Sequence, residues 1–119
     1  MAEYKFQTLQ KVKDMMKYGF TALRQFPKSE KFTLAADIKH IMNNMLYYCI
    51  TIEKKISRKT TLEKLDIEVA ALKAYLEIAQ EMGFLSEHTY GLWNDKVVEI
   101  GKMVGGLLEA AKRTENHRE

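Results

Sequence analysis

Few side chains in this sequence have the types and the spacing that catalysis or metal binding requires. The nearest approach is Asp37 with His40, an acid and a histidine three residues apart on one face of a predicted helix. Two ligands are too few for a structural or catalytic ion, so a solvated helix face is the favoured interpretation. His88 and His117 lack an evident acid, base or nucleophile as partner. With no glycine-rich phosphate loop and no Gly-x-Ser-x-Gly motif, we predict no enzyme activity, no metal and no cofactor.

The densest group of charged side chains lies at the turn between the second and third predicted helices. Cations at the end of a helix offset its dipole by about 0.3–1 kcal/mol each, which accounts for two or three of them. Contact with phosphate groups is the alternative, and such contacts are independent of sequence and sensitive to salt. The candidate phosphate-binding residues are Lys28, Lys31, Lys54, Lys55, Arg58, Lys59 and Lys64.

Charge is distributed unevenly along the chain, whose net charge is +3. Residues 1–64 carry 13 basic and 6 acidic side chains, a net +7, whereas residues 65–119 carry 6 basic and 10 acidic, a net −4. Such asymmetry favours a polyanionic partner for the basic half. A basic face that serves only solubility is the alternative.

Apolar spacing predicts four helices. The first runs from about Tyr4 to Leu23, with its apolar seam at Leu9, Val12, Met16, Phe20 and Leu23. Pro27 interrupts the pattern because the residue before a proline is driven out of the helical region. The second runs to about Ser57 and has Phe32 and Ile56 among its apolar positions. Its apolar surface is wider than a core stripe and predicts contact with another subunit. At helical spacing, the tyrosines of these helices favour core or interface positions over base stacking; they are Tyr47, Tyr48 and Tyr75.

The third and fourth helices carry the clearest start and stop signals. Thr60 and Glu63 form a capping-box pattern at the start of the third helix, and Gly83 is placed to end it. Ser86 is the predicted cap of the fourth helix. The buried seams are predicted at Leu62, Leu65, Val69, Leu72, Leu76 and Ala79, and at Trp93, Val97, Ile100, Val104, Leu107 and Ala111.

Short connections make neighbouring helices antiparallel, so the predicted fold is all-α, an up-down-up-down antiparallel four-helix bundle. We expect one domain over residues 1–113 and a disordered polar tail over residues 114–119. The single cysteine, Cys49, lies in an apolar stretch and is predicted to be a buried structural thiol. No apolar run approaches the roughly 20 residues of a bilayer span, and the N-terminus lacks a signal-peptide pattern, so we expect a cytoplasmic protein without membrane contact.

Three glycines inside the fourth predicted helix need an explanation, because each lowers helix stability by about 0.8–1 kcal/mol relative to alanine. Gly101 and Gly105 are four residues apart and share a face, and Gly106 follows. Close approach of another helix would explain them. Gly101, Gly105 and Gly106 are therefore the predicted oligomer interface.

The residues of the last two helices resemble a known family. The segments are Thr61-Leu62-Glu63-Lys64-Leu65-Asp66-Ile67-Glu68-Val69-Ala70-Ala71-Leu72-Lys73-Ala74-Tyr75-Leu76-Glu77-Ile78-Ala79, Gly83-Phe84-Leu85-Ser86 with Tyr90, and Glu99-Ile100-Gly101-Lys102-Met103-Val104-Gly105-Gly106. Together with Phe26-Pro27-Lys28-x-Glu30 they are similar to the Avd family, the accessory variability determinants of diversity-generating retroelements. That family is related to the four-helix-bundle proteins encoded in intervening sequences of 23S ribosomal RNA genes.

The resemblance implies a non-enzymatic homopentamer of four-helix protomers with a basic surface. It also implies that the partners are the reverse transcriptase of the retroelement and RNA or cDNA, bound through their backbones, in support of mutagenic retrohoming. Two positions depart from the family pattern. Leu107 stands where many relatives have tryptophan, and Glu77 stands where a basic residue is frequent, which removes positive charge from the third helix.

Two alternatives remain open from the sequence. One is an interaction module of the ribosomal intervening-sequence type, of unknown role and without a reverse transcriptase partner. The other is an oligomeric structural bundle that does not bind nucleic acid. A neighbouring reverse transcriptase gene with a pair of near-identical repeats would identify the Avd type.

Overall fold

The computed structural model describes the backbone of residues 2–118 and the side chains of residues 7–114. Its four helices are α1 (Ala2–Ala22), α2 (Leu34–Glu53), α3 (Arg58–Glu81) and α4 (Glu87–Arg118). Two short 3-10 turns, Leu23–Gln25 and Lys28–Glu30, lie on either side of Pro27. Helices make up 87% of the structure, and no strand occurs in the described part, so the predicted all-α class is confirmed.

The helices pack as an antiparallel bundle. Each helix contacts the next along the chain, and α4 also packs on α1, so that every helix has two neighbours. A hydrogen bond from Asn44 to Glu68 (2.8 Å) joins α2 to α3, and an ion pair between Lys11 and Glu99 (3.1 Å) joins α1 to α4. The molecule is a rod of 52 × 22 × 22 Å. The predicted four-helix bundle is therefore confirmed, and its flanks provide most of its surface.

The core contains the seams that apolar spacing predicts for α3 and α4. All six predicted positions of α3 are buried, as are five of the six on α4, and Ala111 is half-buried against the same core. The seam of α1 differs, because Phe20 is 40% exposed whereas Met15, absent from the predicted seam, is fully buried. A pattern of apolar types cannot separate Phe20 from Met15, since both suit a core and only the position of the neighbouring helices decides.

Gly19 lies at a tightly packed point of the bundle, where side chains of α2 and α4 lie against α1. A Cβ atom placed there would lie 2.7 Å from Cζ2 of Trp93 and 2.9 Å from Sδ of Met42. Trp93 is fully buried and its indole N–H donates a hydrogen bond to Sδ of Met15 (3.3 Å). The bare backbone at Gly19 thus makes room for the largest side chain of the core.

The connection between α3 and α4 follows its sequence signals. Gly83 has φ +78°, its N–H donates to the carbonyl of Gln80 (3.0 Å), and the N–H of Phe84 donates to that of Ala79 (2.8 Å). This is a Schellman ending in which glycine occupies the left-handed position. Oγ of Ser86 accepts a hydrogen bond from the N–H of Thr89 (3.1 Å), which is the predicted cap of α4.

The second helix is shorter than its apolar pattern predicts. Phe32 and Ile56 lie outside α2, in turns, and are 85% and 58% exposed, so both are wrong as apolar helix positions. At the first end, the 3-10 turn after Pro27 and the bond from the Thr33 hydroxyl to Glu30 (2.8 Å) delay the helix until Leu34. The start of α2 is therefore set by hydrogen bonds of the preceding turn, which the spacing of apolar residues does not reveal.

The predicted capping box at Thr60 is also wrong. Ser57 holds the N-cap position of α3 in a left-handed conformation and makes no side-chain capping bond. Thr60 already lies inside the helix, where its hydroxyl cannot serve the first turn. The hydroxyl of Thr61 instead donates to the carbonyl of Ser57 (2.9 Å).

Cys49 is buried, as predicted, in the core between α1, α2 and α4. Burial, followed by the nearby Glu53 carboxylate, raises the pKa of the Cys49 thiol to about 12. Within the described residues, no helix is both long and apolar enough to span a bilayer. The backbone of residues 114–118 continues α4, whereas the side chains after Thr114 lie outside the described part. The division into a domain over residues 1–113 and a tail over residues 114–119 stays a prediction.

Candidate nucleic-acid interface

The structure divides the seven candidate phosphate-binding residues between two ends of the rod. Lys28 and Lys31 lie in the connection before α2, whereas the other five lie at the turn after α2 or in the first two turns of α3. The 20 residues of α2 separate the two sets by roughly 30 Å at 1.5 Å per residue. The candidates therefore form two regions and not one patch.

We name the five residues at the α2–α3 end the turn cluster: Lys54, Lys55, Arg58, Lys59 and Lys64. Lys54, Lys55 and Lys64 are exposed, whereas Arg58 and Lys59 are half-buried. Nε and Nη2 of Arg58 are enclosed, and neither has a hydrogen-bond partner in the described part of the chain; the same holds for Oε1 of Glu53. The three exposed lysines are thus the members of the turn cluster that an approaching polyanion meets first.

The backbone of this turn holds a lysine where glycine is usual. The N–H of Lys55 donates to the carbonyl of Ile52 (2.9 Å) and that of Ile56 to the carbonyl of Thr51 (3.3 Å), the two bonds of a Schellman ending. Lys55 occupies the left-handed position with φ +60°, and Ser57 follows with φ 44°. Left-handed backbone costs a residue with a side chain about 1–2 kcal/mol. The backbone that carries the cations of the turn cluster is therefore strained.

Two cations that the sequence analysis omitted lie toward the same end. Thr8, Cys49, Ile52 and Leu107 line one small internal cavity, which places the end of α2 beside residue 107 of α4. The exposed Lys112 and Arg113 follow further along α4, in the direction of the turn cluster. The alternation of helix direction could have indicated this, because the last turns of α4 must return to the end where α2 stops.

A second region, the α1–α2 groove, lies at the other end of the rod. It has a volume of about 300 Å³ and is lined by Phe20, Leu23, Arg24, Phe26, Pro27, Lys28, Lys31, Ala35 and Lys39. Four of these side chains are cations, and none of the described lining residues is acidic. Arg24 and Lys39 were missed by the sequence analysis, although their positions in the last turn before Pro27 and one turn into α2 bring them together in any tight helical hairpin.

Two phenylalanines are exposed at the groove or beside it, each next to a lysine. Nζ of Lys39 lies 5.9 Å from the ring centre of Phe20, and Nζ of Lys31 lies 5.6 Å from that of Phe32. Ammonium groups at this distance are attracted by the face of the ring. The exposed aromatic rings of this region are therefore already paired with positive charge.

The tyrosines have different surroundings. Tyr48 and Tyr75 are half-buried against the core, as predicted. Tyr47 is exposed and, with Leu46, Ile50 and Ile56, borders an apolar groove of about 500 Å³ on the outside of α2. The excess apolar surface predicted for the second helix is thus located on this outer side.

The glycines of α4 that were predicted at the oligomer interface are not closely packed within the chain. A Cβ on Gly101 would lie 3.4 Å from Cγ1 of Val69, an ordinary contact, and one on Gly105 would meet no atom within 4 Å. Gly106 is exposed. Packing within one chain therefore does not explain Gly105 and Gly106, and their assignment to an oligomer interface stays a prediction.

The candidate chemistry of the histidines finds no support. Asp37, His40 and His88 are exposed, and His117 lies outside the described side chains. No group of three or more potential metal ligands occurs among the residues that the structure describes.

Comparison with protein families gives one match. A family model described as bAvd-like matches residues 6–111, which include all of α2 and α3 and most of α1 and α4. No curated protein and no solved structure shows significant similarity to the chain. The match extends beyond the segments that carry the sequence resemblance, and it confirms that resemblance to the Avd family. The chain therefore belongs to the bAvd-like family, whose members are in general accessory proteins without catalytic activity.

Proposed function

We propose that this chain is a non-enzymatic scaffold of a diversity-generating retroelement, which holds the reverse transcriptase together with RNA or cDNA during mutagenic retrohoming. Family membership over residues 6–111 is the observation that carries the proposal. In this role the chain makes and breaks no bond; it acts in the cytoplasm by raising the local concentration of polymerase and template.

The charge of the surface supports nucleic-acid binding. The turn cluster offers three exposed lysines at one end of the rod, and the α1–α2 groove offers four cations at the other. Lysine and arginine bind phosphates without regard to base sequence, and affinity from such contacts falls steeply with salt because counterions are released. A scaffold that accepts different RNA and cDNA sequences needs this kind of contact.

Exposed apolar and glycine positions support self-assembly. The outside of α2 carries Tyr47 and Ile50, and α4 carries Gly105 with free space above it. A homopentamer that covers these positions would also repeat the basic regions around a ring, and simultaneous contacts convert weak single sites into useful avidity. Oligomerisation thus serves the binding of nucleic acid in the proposal.

The first test measures RNA binding by the purified protein between 50 and 200 mM salt. We expect affinity to fall by a factor of about 10³ if roughly six phosphates are contacted. Lys54→Gln/Lys55→Gln/Lys64→Gln removes the three exposed lysines of the turn cluster and should weaken binding, with helicity by circular dichroism unchanged. Lys73→Gln/Lys96→Gln/Lys102→Gln changes net charge equally at other exposed positions and serves as the control.

The result separates the proposal from its rivals. Absence of RNA binding in low salt contradicts the nucleic-acid part and favours a purely structural bundle. Failure to co-purify with a reverse transcriptase encoded beside it, or absence of such a gene, favours a module of the ribosomal intervening-sequence type. Equal losses in the two lysine variants mean that net charge, not the turn cluster, governs affinity.

A further inference from the structure

We infer that the α1–α2 groove binds a single-stranded segment of nucleic acid, with its cations on the phosphates and with Phe20 and Phe32 stacked against unpaired bases. This rests on the proposed function and adds to it a location and a strand type. The turn cluster, roughly 30 Å away, then supplies only backbone contacts.

The charges around the groove favour a polyanion. Arg24, Lys28, Lys31 and Lys39 are all exposed, and each lines the groove. The carboxylates nearest in the sequence, those of Glu30 and Asp37, are not among the side chains that line the groove. The groove therefore keeps its positive charge.

The exposed rings of Phe20 and Phe32 indicate that the bases of the bound strand also contact the protein. Phe32 is 85% exposed and lies outside every helix, so it contributes almost nothing to the core. Phe20 lines the groove, and its ring centre lies 5.9 Å from Nζ of Lys39. Aromatic side chains set among cations form the stacking platforms of proteins that bind single strands without base preference. A phosphate held by Lys39 leaves its base within reach of the Phe20 ring.

The floor of the groove consists of buried and closely packed side chains. Leu23, Phe26 and Ala35 are buried beneath the groove. Phe26 also packs against Phe84 of the connection between α3 and α4, with ring centres 5.7 Å apart. The N–H of Phe26 donates to Leu23 (3.1 Å), and that of Glu30 donates to Pro27 (2.9 Å), so both 3-10 turns are closed. A preorganised site of this kind loses little conformational entropy on binding.

The rings distinguish single strands from duplexes. In a duplex the base faces are stacked on one another, and only the phosphates are accessible to a shallow groove. Phenylalanine has no hydrogen-bonding group with which to contact a phosphate. Of the two forms of nucleic acid, only a single strand therefore offers bases on which these exposed rings can stack.

The test compares a labelled single-stranded RNA of about 12 nucleotides with a duplex of the same sequence. Phe20→Leu/Phe32→Leu keeps the apolar volume and removes the rings. We expect it to weaken single-strand binding by about tenfold with an unchanged salt slope, and to leave duplex binding within about twofold. Ile67→Ala removes an exposed apolar side chain of α3 that does not line the groove, and it should leave both affinities unchanged.

A second variant tests the cations separately. Arg24→Gln/Lys28→Gln/Lys31→Gln should lower the slope of log affinity against log salt by about 2 for the single strand. The control Lys73→Gln/Lys96→Gln/Lys102→Gln carries the same change in charge and should keep the slope. Circular dichroism shows whether each variant keeps the helical content of the parent.

The outcomes distinguish this inference from the proposed function. If the parent protein binds no RNA in low salt, the proposed function fails and the inference fails with it. A different result overturns only the inference: the parent binds RNA and the turn-cluster variant loses affinity for it, but both groove variants keep the affinity of the parent. It is also overturned if the rings matter equally for duplex RNA, or if the groove variants keep RNA but lose the reverse transcriptase, which would make the groove a protein interface.

Discussion

At Gly19 one missing carbon atom allows α1 and α4 to approach each other. We predict that Gly19→Ala lowers the free energy of unfolding, because its Cβ would lie 2.7 Å from Trp93 and 2.9 Å from Met42. Overpacking of a core costs about 1–3 kcal/mol, more than the gain of up to about 1 kcal/mol in helix propensity. Urea denaturation followed by circular dichroism measures the difference.

Gly91→Ala is the matched control for that experiment. Gly91 also lies inside a helix, but a Cβ there meets no atom within 4 Å. We expect the control to gain stability by up to about 1 kcal/mol, since only helix propensity changes. Equal gains in the two variants would contradict the close packing of Trp93 on Gly19.

Residue types alone identified costly glycines but not the reason for each. Gly101, Gly105 and Gly106 stand out because they interrupt a long amphipathic pattern, and yet the tightest position is Gly19. Its role depends on Trp93, 74 residues away in the sequence, and a contact of that range leaves no local pattern.

At the scale of elements, Lys55 in the turn between α2 and α3 lowers the stability of the fold but adds a positive charge for RNA binding. Lys55→Gly should raise the free energy of unfolding by up to about 1 kcal/mol, because glycine adopts φ +60° without the strain that a side chain brings. The same substitution removes an exposed cation of the turn cluster and should weaken RNA binding. Denaturation and RNA titration of the same preparation measure both effects.

Lys55→Gln serves as the control, because it removes the charge but keeps a side chain in the left-handed position. We expect the same loss of RNA affinity with no gain in stability. A Lys55→Gly variant that is no more stable than Lys55→Gln would show that the turn is not strained in solution.

Helix interiors were predictable from the sequence, whereas several helix ends were not. The seams of α3 and α4 follow from spacing because burial repeats with the helical period. Gly83 and Ser86 were also identified, since both use the residue types that their backbone requires. Phe32, Ile56 and Thr60 were misplaced because the ends of α2 and the start of α3 use residues that those patterns do not anticipate, above all Lys55 in a position typical of glycine.

For the whole molecule, the main question is what covers the open face of α4. If Gly105 lies at a subunit interface, Gly105→Met should dissociate the oligomer, because a long side chain would occupy the space left for a neighbouring chain. The fold of the protomer should persist, since a Cβ there meets no atom within 4 Å. Native mass measurement gives the subunit number, and circular dichroism reports the helical content.

Gly91→Met is the control, because Gly91 has equal free space on the same helix. We expect it to keep the subunit number of the parent. A parent protein that is already monomeric, or a Gly105→Met variant with unchanged mass, would remove Gly105 from the interface.

The candidate site was only partly predictable at this scale. The turn cluster was found because its members are close in the sequence. The α1–α2 groove was missed as a unit because Phe20, Arg24 and Lys39 are spread over two helices and become neighbours only when the hairpin closes. Sequence proximity also joined Lys28 and Lys31 to the turn cluster, from which the length of α2 separates them.

The burial of the single tryptophan provides an optical probe of the whole bundle. Trp93 of α4 is enclosed, with its indole N–H on the sulfur of Met15 in α1. Its fluorescence therefore reports the contact between the first and last helices without any label. A shift of its emission to longer wavelength marks the moment at which α4 leaves α1, whereas binding of a polymer to the outer flanks leaves its colour unchanged.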